Sequence, residues 1–137
     1  MRRTLAALAL GVAAAVQAQP TCTPDPLAGR GLYLRGSFNG WAAADAQRFT
    51  WACNRYELVT RILAGEHKFK LGDEAWSADA DFGAAPADPT RIVRKSQDAR
   101  EFERRLAGPY RITFTMNDPA KLEFEPCPRD APPLGVT

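Results

Sequence analysis

The sequence predicts an all-β fold, an antiparallel sandwich of about seven or eight strands. Apolar and polar residues alternate within several short segments, including 49–53, 56–63 and 110–116. Turn-forming residues separate these segments at intervals of roughly eight to twelve residues, a spacing typical of sandwiches. Heptads and internal repeats are absent from the sequence, so a coiled coil and a repeat architecture are both excluded.

The first half of the predicted sandwich contains four strands. A short strand covers 32–34 and ends at Gly36, and 49–53 forms the second strand with Phe49, Trp51 and Cys53 on one face. Asn54-Arg55 has the chemistry of a two-residue hairpin, and Ala64-Gly65 predicts a second turn after strand 56–63. In the next strand His67, Phe69 and Leu71 face one side, while Lys68 and Lys70 face the other.

The second half contains a loop and an ambiguous segment. Residues 77–90 are rich in Asp, Ala and Pro and predict a long loop. Residues 96–106 fit a capped helix that stops at Gly108, but the neighbouring hairpins favour a strand, and we adopt the strand. Segments 110–116 and 121–125 are strands joined by a turn at 117–120.

The N-terminal residues predict an export signal. Arg2 and Arg3 precede the apolar stretch 5–16, and Val16-Gln17-Ala18 supplies a cleavage site. The predicted organisation is therefore a signal peptide at 1–18, a polar lead-in at 19–30, one sandwich domain at 31–126 and a Pro-rich tail at 127–137. The apolar stretch is too short to span a bilayer, so we expect a periplasmic or secreted protein without membrane insertion.

Charge argues against nucleic acid as a partner. The 137 residues include 18 Lys and Arg against 16 Asp and Glu. Loss of Arg2 and Arg3 with the signal would leave a balanced chain, which offers no electrostatic attraction to nucleic acid or to an acidic membrane.

Three cysteines in an exported chain predict one disulfide and one remaining thiol. Cys53, at the end of the second strand, is expected in the disulfide. Alternating strand directions place Cys22 and Cys127 near the same pole, and both stay open as partners.

A catalytic site is not expected. His67 is the single histidine and lies among apolar residues, so a structural role is favoured over that of a base. Asp79, Asp81 and Asp88 lack the glycine and closing glutamate of a calcium loop, and the cysteines lack zinc-ligand spacing. The sequence therefore predicts neither enzyme activity, nor a metal site, nor a cofactor.

Two tryptophans occupy loop positions, where few neighbouring residues can shield an indole from solvent. Trp41 follows the turn 36–40 and Trp76 precedes the long loop, whereas Trp51 points inward. An exposed indole can stack on the apolar face of a sugar ring, and the outward Lys70 can donate to sugar hydroxyls. The alternative is that both indoles cap the ends of a small core, and spacing alone does not decide.

The segments GSFNGW (36–41) and GEHKFK (65–70), followed by Trp76, resemble the family-48 carbohydrate-binding modules. These modules include the glycogen-binding domain of the AMP-activated protein kinase β subunit and starch-binding modules beside pullulanases and amylases. The resemblance runs from about 32 to 76 and more loosely to 124.

The resemblance implies an immunoglobulin-like (early-set) sandwich that binds α-1,4-glucan without catalysis. Trp41 and Trp76 would be the sugar platforms, and Lys70 and Asn39 would make polar contacts. These modules also contact the glucan with polar residues of a later loop, a role that Gln97 or Asp98 would take here. An exported amylase-type enzyme is then a candidate partner. The alternative function is a sandwich subunit that contacts another protein without binding sugar.

Overall fold

The computed structural model describes residues 21–117 and 119–127, and it is all-β. Its seven strands form one antiparallel sheet with the path β5-β4-β3-β6-β7, while β1 and β2 both pair with β3. The strands are β1 (Tyr33–Gly36), β2 (Thr50–Ala52), β3 (Arg55–Gly72), β4 (Asp81–Ala84), β5 (Ile92–Arg94), β6 (Phe102–Thr115) and β7 (Lys121–Pro126). The predicted signal peptide at 1–18 and the tail beyond Cys127 lie outside the described residues.

The sheet folds over on itself as a sandwich. Phe82 of β4 pairs with Leu71 near the end of β3, and Phe114 of β6 pairs with Tyr56 near its beginning. A straight strand would separate those two positions by about 50 Å. The rings of Phe82 and Phe114 nevertheless meet with centroids 5.0 Å apart, so the two halves of the sheet pack face to face.

The predicted turn at Ala64-Gly65 was wrong, because β3 continues through these residues with a β-bulge. Ile62 pairs with Gly108 and Gly65 pairs with Leu106, so two residues of β3 stand opposite one residue of β6. The extra residue changes which alternate positions of β3 point into the core. Even positions such as Leu58 face the core before the bulge, and odd positions such as Phe69 do so after it.

Strand β6 unites two segments that the sequence separates. Phe102–Thr115 is continuous and passes through Gly108, whose φ is +93°. The favoured strand is confirmed for Phe102 onward, whereas Lys95–Gln97 forms a 3₁₀ turn. Gly108 does not end an element because it pairs with Ile62 next to the bulge, where a glycine with positive φ lets the strand continue.

Strand β4 lies inside the predicted long loop, so that prediction was wrong for Asp81–Ala84. Phe82 fills the core, and the backbone of Ala84 exchanges two hydrogen bonds with that of Arg100. Gly83 is required because a Cβ there would collide with the carbonyl oxygen of Arg100. Small residues thus mark close backbone approach here and not an irregular loop.

The first hairpin turns one residue earlier than predicted. Ala52 pairs with Arg55, so Cys53 and Asn54 are the turn residues, and Cys53 has φ of +66°. Cys53 is bonded to Cys22, and Cys127 is a free thiol. The disulfide joins the lead-in to the sandwich, and the lead-in also contributes the buried side chain of Leu27 to the core.

Candidate functional site

The side chains of Trp41 and Trp76 meet on the outside of the sandwich. Trp41 follows the 3₁₀ turn Ser37–Asn39, and Trp76 lies between β3 and the 3₁₀ turn Ala78–Ala80. Both indoles are partly exposed, their ring centroids are 6.4 Å apart, and their planes are tilted by 50°. The two aromatic loops of the sequence thus form a single two-ring surface, which we call the tryptophan pair.

Backbone strain accompanies both tryptophans. Trp41 has φ of +63° and Trp76 has φ of +55°, a left-handed conformation that bulky residues avoid. Each such residue is destabilising by about 1–3 kcal/mol and persists only where its surroundings enforce it. Strain of this kind concentrates at sites where the position of a side chain matters for function.

The outer face of β1 and β3 is the floor beneath Trp76. Tyr33 pairs with Gly72 and Arg35 pairs with Lys70, so these four positions share one face of the sheet. A Cβ on Gly72 would lie 2.5 Å from the Trp76 ring, which means that the indole rests directly on the backbone. Only glycine permits this contact.

Arg35 links the two tryptophan loops and was not recognised in the sequence. Its Nε donates to the carbonyl of Trp41 at 2.8 Å, and its Nη1 donates to the carbonyls of Asp73 at 2.7 Å and Glu74 at 3.2 Å. Its guanidinium carbon is 4.1 Å from the centroid of the Trp76 ring. The alternation of β1 places Arg35 on the outer face, but only the register with β3 shows that it lies at the site.

Lys70 lies on the predicted outer face but is largely covered. Its side chain is 16% exposed, and Nζ is 2.6 Å from Oδ1 of Asp81, which is 5% exposed. The contact is an ion pair without the alignment of a hydrogen bond. Nζ is also 5.6 Å from the Trp76 ring centroid, so Lys70 borders the tryptophan pair.

Asn39 shapes the turn that presents Trp41. Its Oδ1 accepts from the amide of Gly36 at 3.0 Å, while its Nδ2 donates to the carbonyl of Leu34 and to Oε1 of Gln47, both at 3.1 Å. The amide of Trp41 donates to the carbonyl of Gly36 at 2.8 Å. The side-chain amide of Asn39 is therefore engaged within the protein, and a sugar contact by Asn39 stays a prediction.

Asp73 holds the loop that carries Trp76. Its Oδ1 accepts from the amide of Ser77 at 2.8 Å, and its Oδ2 accepts from Arg30 at 3.2 Å. Burial alone would raise the pKa of this carboxyl, but the hydrogen bonds of Ser77 and the charge of Arg30 outweigh it and lower the pKa. Arg30 also pairs with Asp79 at 2.6 Å, which fixes the far side of the same loop.

The later polar loop approaches Trp76 through Lys95. The Nζ of Lys95 donates to the carbonyl of Trp76 at 3.1 Å. Gln97 accepts from the amide of Arg94, and Asp98 accepts from Arg100 at 2.8 Å, which lowers the pKa of Asp98. Both residues proposed for this loop are thus bonded to near neighbours, and their contact with a ligand stays a prediction.

His67 has a structural environment. Its Nε2 donates to the carbonyl of Leu63 at 2.7 Å, since a carbonyl only accepts. Nδ1 forms a hydrogen bond of 2.9 Å with the hydroxyl of Ser37, and the Phe38 ring packs edge-on against the imidazole. Both ring nitrogens are engaged, which agrees with the structural role predicted from the sequence.

The tryptophan pair is a partly exposed aromatic surface. A separate groove of about 700 Å³ lies between the sheet edges at β5 and β7, with Phe102 and Leu122 in its lining. A partly exposed indole can stack on a flat apolar face of a ligand.

Within residues 21–117 and 119–127, no three His, Cys, Asp or Glu residues cluster in a way that could hold a metal ion. The same described residues contain no helix with the length and apolar character needed to cross a membrane.

Comparison with known proteins gives one informative likeness. No protein-family model and no curated protein matches the chain. A solved structure described as the ligand-induced structure of AmyP-SBD, the starch-binding domain of AmyP, is similar with a TM-score of 0.55 and 20% sequence identity. The similarity covers 91% of this chain and 97% of that one. The likeness shows the fold. It extends over nearly all of both chains, in agreement with the sandwich described above.

Proposed function

We propose that this chain is an exported, non-catalytic α-glucan-binding module, and that glycogen, starch or a maltooligosaccharide covers the tryptophan pair. The observation that carries the proposal is the arrangement of Trp41 and Trp76. Both rings are held in strained backbone conformations, with centroids 6.4 Å apart and a 50° tilt. The resemblance to starch-binding modules and the likeness to the AmyP domain support the same ligand class.

The tilt favours an α-1,4-linked chain over a β-1,4-linked one. Successive residues of an α-1,4-glucan turn relative to each other, so the chain curves and presents differently inclined ring faces. A β-1,4-glucan is a flat ribbon and would need nearly coplanar platforms. Two indoles tilted by 50° match the curved polymer.

Lys70 and Asn39 have different supporting roles in this proposal. Lys70 borders Trp76, and an ammonium group has three N–H donors that can bond sugar hydroxyls. Asn39 acts through the turn that presents Trp41. Gln97 and Asp98 stay candidates for a polar contact from the later loop.

Binding is expected to be weak for one module. An aromatic contact contributes about 0.5–1.5 kcal/mol, and each solvent-competing hydrogen bond adds a similar amount. Two platforms with a few hydrogen bonds correspond to a Kd on the order of millimolar to tens of micromolar.

Export is part of the proposal. The predicted signal at 1–18 and the Cys22–Cys53 disulfide both suit the periplasm or the extracellular space, where disulfides persist. A module of this kind would act by holding glucan near an amylase-type enzyme that is exported with it.

Affinity electrophoresis in gels that contain glycogen or soluble starch tests the proposal. Wild type should be retarded, while Trp41→Ala and Trp76→Ala should run freely with nearly unchanged melting temperatures. Lys70→Ala should also run freely but melt at a lower temperature, because it leaves the buried carboxylate of Asp81 without its ion-pair partner. A gel with β-glucan is the matched control and should retard none of them.

Two outcomes would contradict the glucan proposal. A much lower melting temperature of Trp41→Ala would show that this indole covers the end of the hydrophobic core. Unretarded wild type, together with no fluorescence response to maltoheptaose, would favour the alternative of a protein-contact subunit.

A further inference from the structure

We propose that Arg35 is a positioning residue of this site, which fixes Trp41 and Trp76 relative to each other before any ligand arrives. The inference rests on the proposed function for its consequence, which is glucan affinity. The positioning itself is a property of the unliganded protein and can be measured without sugar.

The two tryptophan loops are far apart in sequence and meet at the side chain of Arg35. Arg35 bonds the backbone of Trp41 on one side and the backbone of Asp73 and Glu74, just before Trp76, on the other. These three hydrogen bonds close two loops whose backbones are strained at the tryptophans. Removal of the link would leave each loop free to relax separately.

Arg35 also contacts the aromatic ring of Trp76. Its guanidinium carbon lies 4.1 Å from the centroid of Trp76, within the range of a cation–π contact. Gly72 supports the same indole from the sheet. Trp76 is therefore held by the backbone below and by a planar cation beside it, which limits its rotation.

The three hydrogen-bond acceptors of Arg35 are backbone carbonyl groups. Within the described residues, Arg35 forms no ion pair with a carboxylate, in contrast to Arg30, which bonds two. Its charged donors go to backbone atoms of the loops that carry the tryptophans, and such charge-assisted bonds are stronger than neutral ones. Arg35 is thus committed to loop geometry and not to neutralising an acid.

Lysine cannot make the contacts of Arg35. A guanidinium is a rigid fork that can bond in two directions while stacking on an aromatic face. An ammonium is a point charge on a flexible stem and cannot reach both loops and the ring together. Arg35→Lys therefore keeps the charge and removes the link.

The test compares Arg35→Lys with Arg104→Lys. Arg104 is a matched control, because its guanidinium carbon also lies over an aromatic ring, 4.6 Å from the centroid of Phe124, and it lines the separate groove between β5 and β7. The first readout is the exciton couplet in circular dichroism that two close, tilted indoles produce, isolated by subtraction of the Trp41→Phe spectrum. Arg35→Lys should lose most of this couplet without sugar present, and Arg104→Lys should keep it.

The second readout is a double-mutant cycle with maltoheptaose. Arg35→Lys should weaken binding on the order of tenfold in wild type, and should weaken the residual binding of a Trp76→Ala background, titrated at about tens of millimolar sugar, by less than about twofold, because the relative position of two rings no longer matters once one ring is gone. A general loss of stability would lower affinity in both backgrounds. Arg35→Gln replaces the lysine variant if that variant does not melt cooperatively.

A couplet of wild-type amplitude in Arg35→Lys would overturn the proposal, and so would equal losses of affinity in both backgrounds. Failure of the wild type to bind any glucan would refute the proposed function instead. The couplet would still decide whether Arg35 positions the pair.

Discussion

The three tryptophans occupy two contrasting environments. Trp51, at the pole of the Cys22–Cys53 disulfide, donates its indole N–H to the carbonyl of Thr23 at 2.8 Å and packs edge-on against Tyr56 with centroids 4.8 Å apart. Within the described residues, the indole N–H groups of Trp41 and Trp76 have no acceptor. One tryptophan is committed to the fold, and two are left available.

The contrast extends to the backbone. Trp51 lies in the regular strand β2, whereas Trp41 and Trp76 have positive φ. A residue that is needed only for packing can adopt a relaxed conformation, because the core can adjust around it. Under the proposed function, the strain at both loop tryptophans is a cost in stability that keeps these rings at the protein surface. The same residue type would then have a structural role beside the disulfide and a binding role on the outer face of β1 and β3.

The largest predicted effect concerns Trp51. Trp51→Ala should lower the free energy of unfolding by about 2 kcal/mol, less than for a fully buried aromatic because the side chain is only partly covered. Chemical denaturation measures this loss. Glucan affinity should stay within about twofold of wild type, and a substantial loss of affinity with intact stability would erase the contrast between the two environments.

The next effect is at the floor of the tryptophan pair. Gly72→Ala should weaken glucan binding about tenfold, equivalent to about 1.4 kcal/mol. The new Cβ would lie 2.5 Å from the Trp76 ring, so the ring must move. Titration of Trp fluorescence with maltoheptaose checks the affinity. Unchanged binding would show that the position of Trp76 is not critical.

The smallest effect is on acid stability through Asp73. The pKa of this carboxyl is lower in the folded protein than in the unfolded chain, so its stabilisation is present above about pH 4 and fades as the pH falls below that value. Asp73→Asn should lower stability by about 1 kcal/mol at neutral pH. The difference from wild type should shrink in acid.

Denaturant melts of both proteins at neutral pH and in acid provide the comparison. Asp88→Asn is a matched control, because Asp88 also has a lowered pKa but bonds Thr90 away from the site. If the difference between wild type and Asp73→Asn grows in acid, folding raises the pKa of Asp73 and the assigned hydrogen bonds do not dominate over burial.

Local patterns predicted much of the sheet, and the failures have a common physical cause. Alternation identified the strand segments, but Ala64-Gly65 has the same chemistry in a turn and in a bulge. Only the partner strand distinguishes the two, because a bulge is defined by the register, in which two residues of β3 stand opposite Ala107 of β6. Strand β4 was missed since its small residues serve close backbone contact with Arg100, a partner distant in sequence.

The candidate site shows the same limit. Trp41, Trp76 and Lys70 were predicted from motifs that lie along the chain, and the structure places them together. Arg35 was missed because a strand arginine looks like any solvent-exposed charge. Its role depends on the register of β1 with β3 and on the carbonyl groups of two loops, neither of which a local sequence pattern contains.

The proposed sugar contact of Trp41 and Trp76 can be observed directly by following the three indole N–H resonances in a ¹H–¹⁵N spectrum while maltoheptaose is added. Single Trp→Phe variants assign the three peaks. The Trp41 and Trp76 peaks should shift in a saturable manner with one shared Kd, while the Trp51 peak should stay in place, because its N–H is already bonded to Thr23. Three unmoved peaks at millimolar sugar, or a shift of the Trp51 peak alone, would contradict the proposed sugar contact.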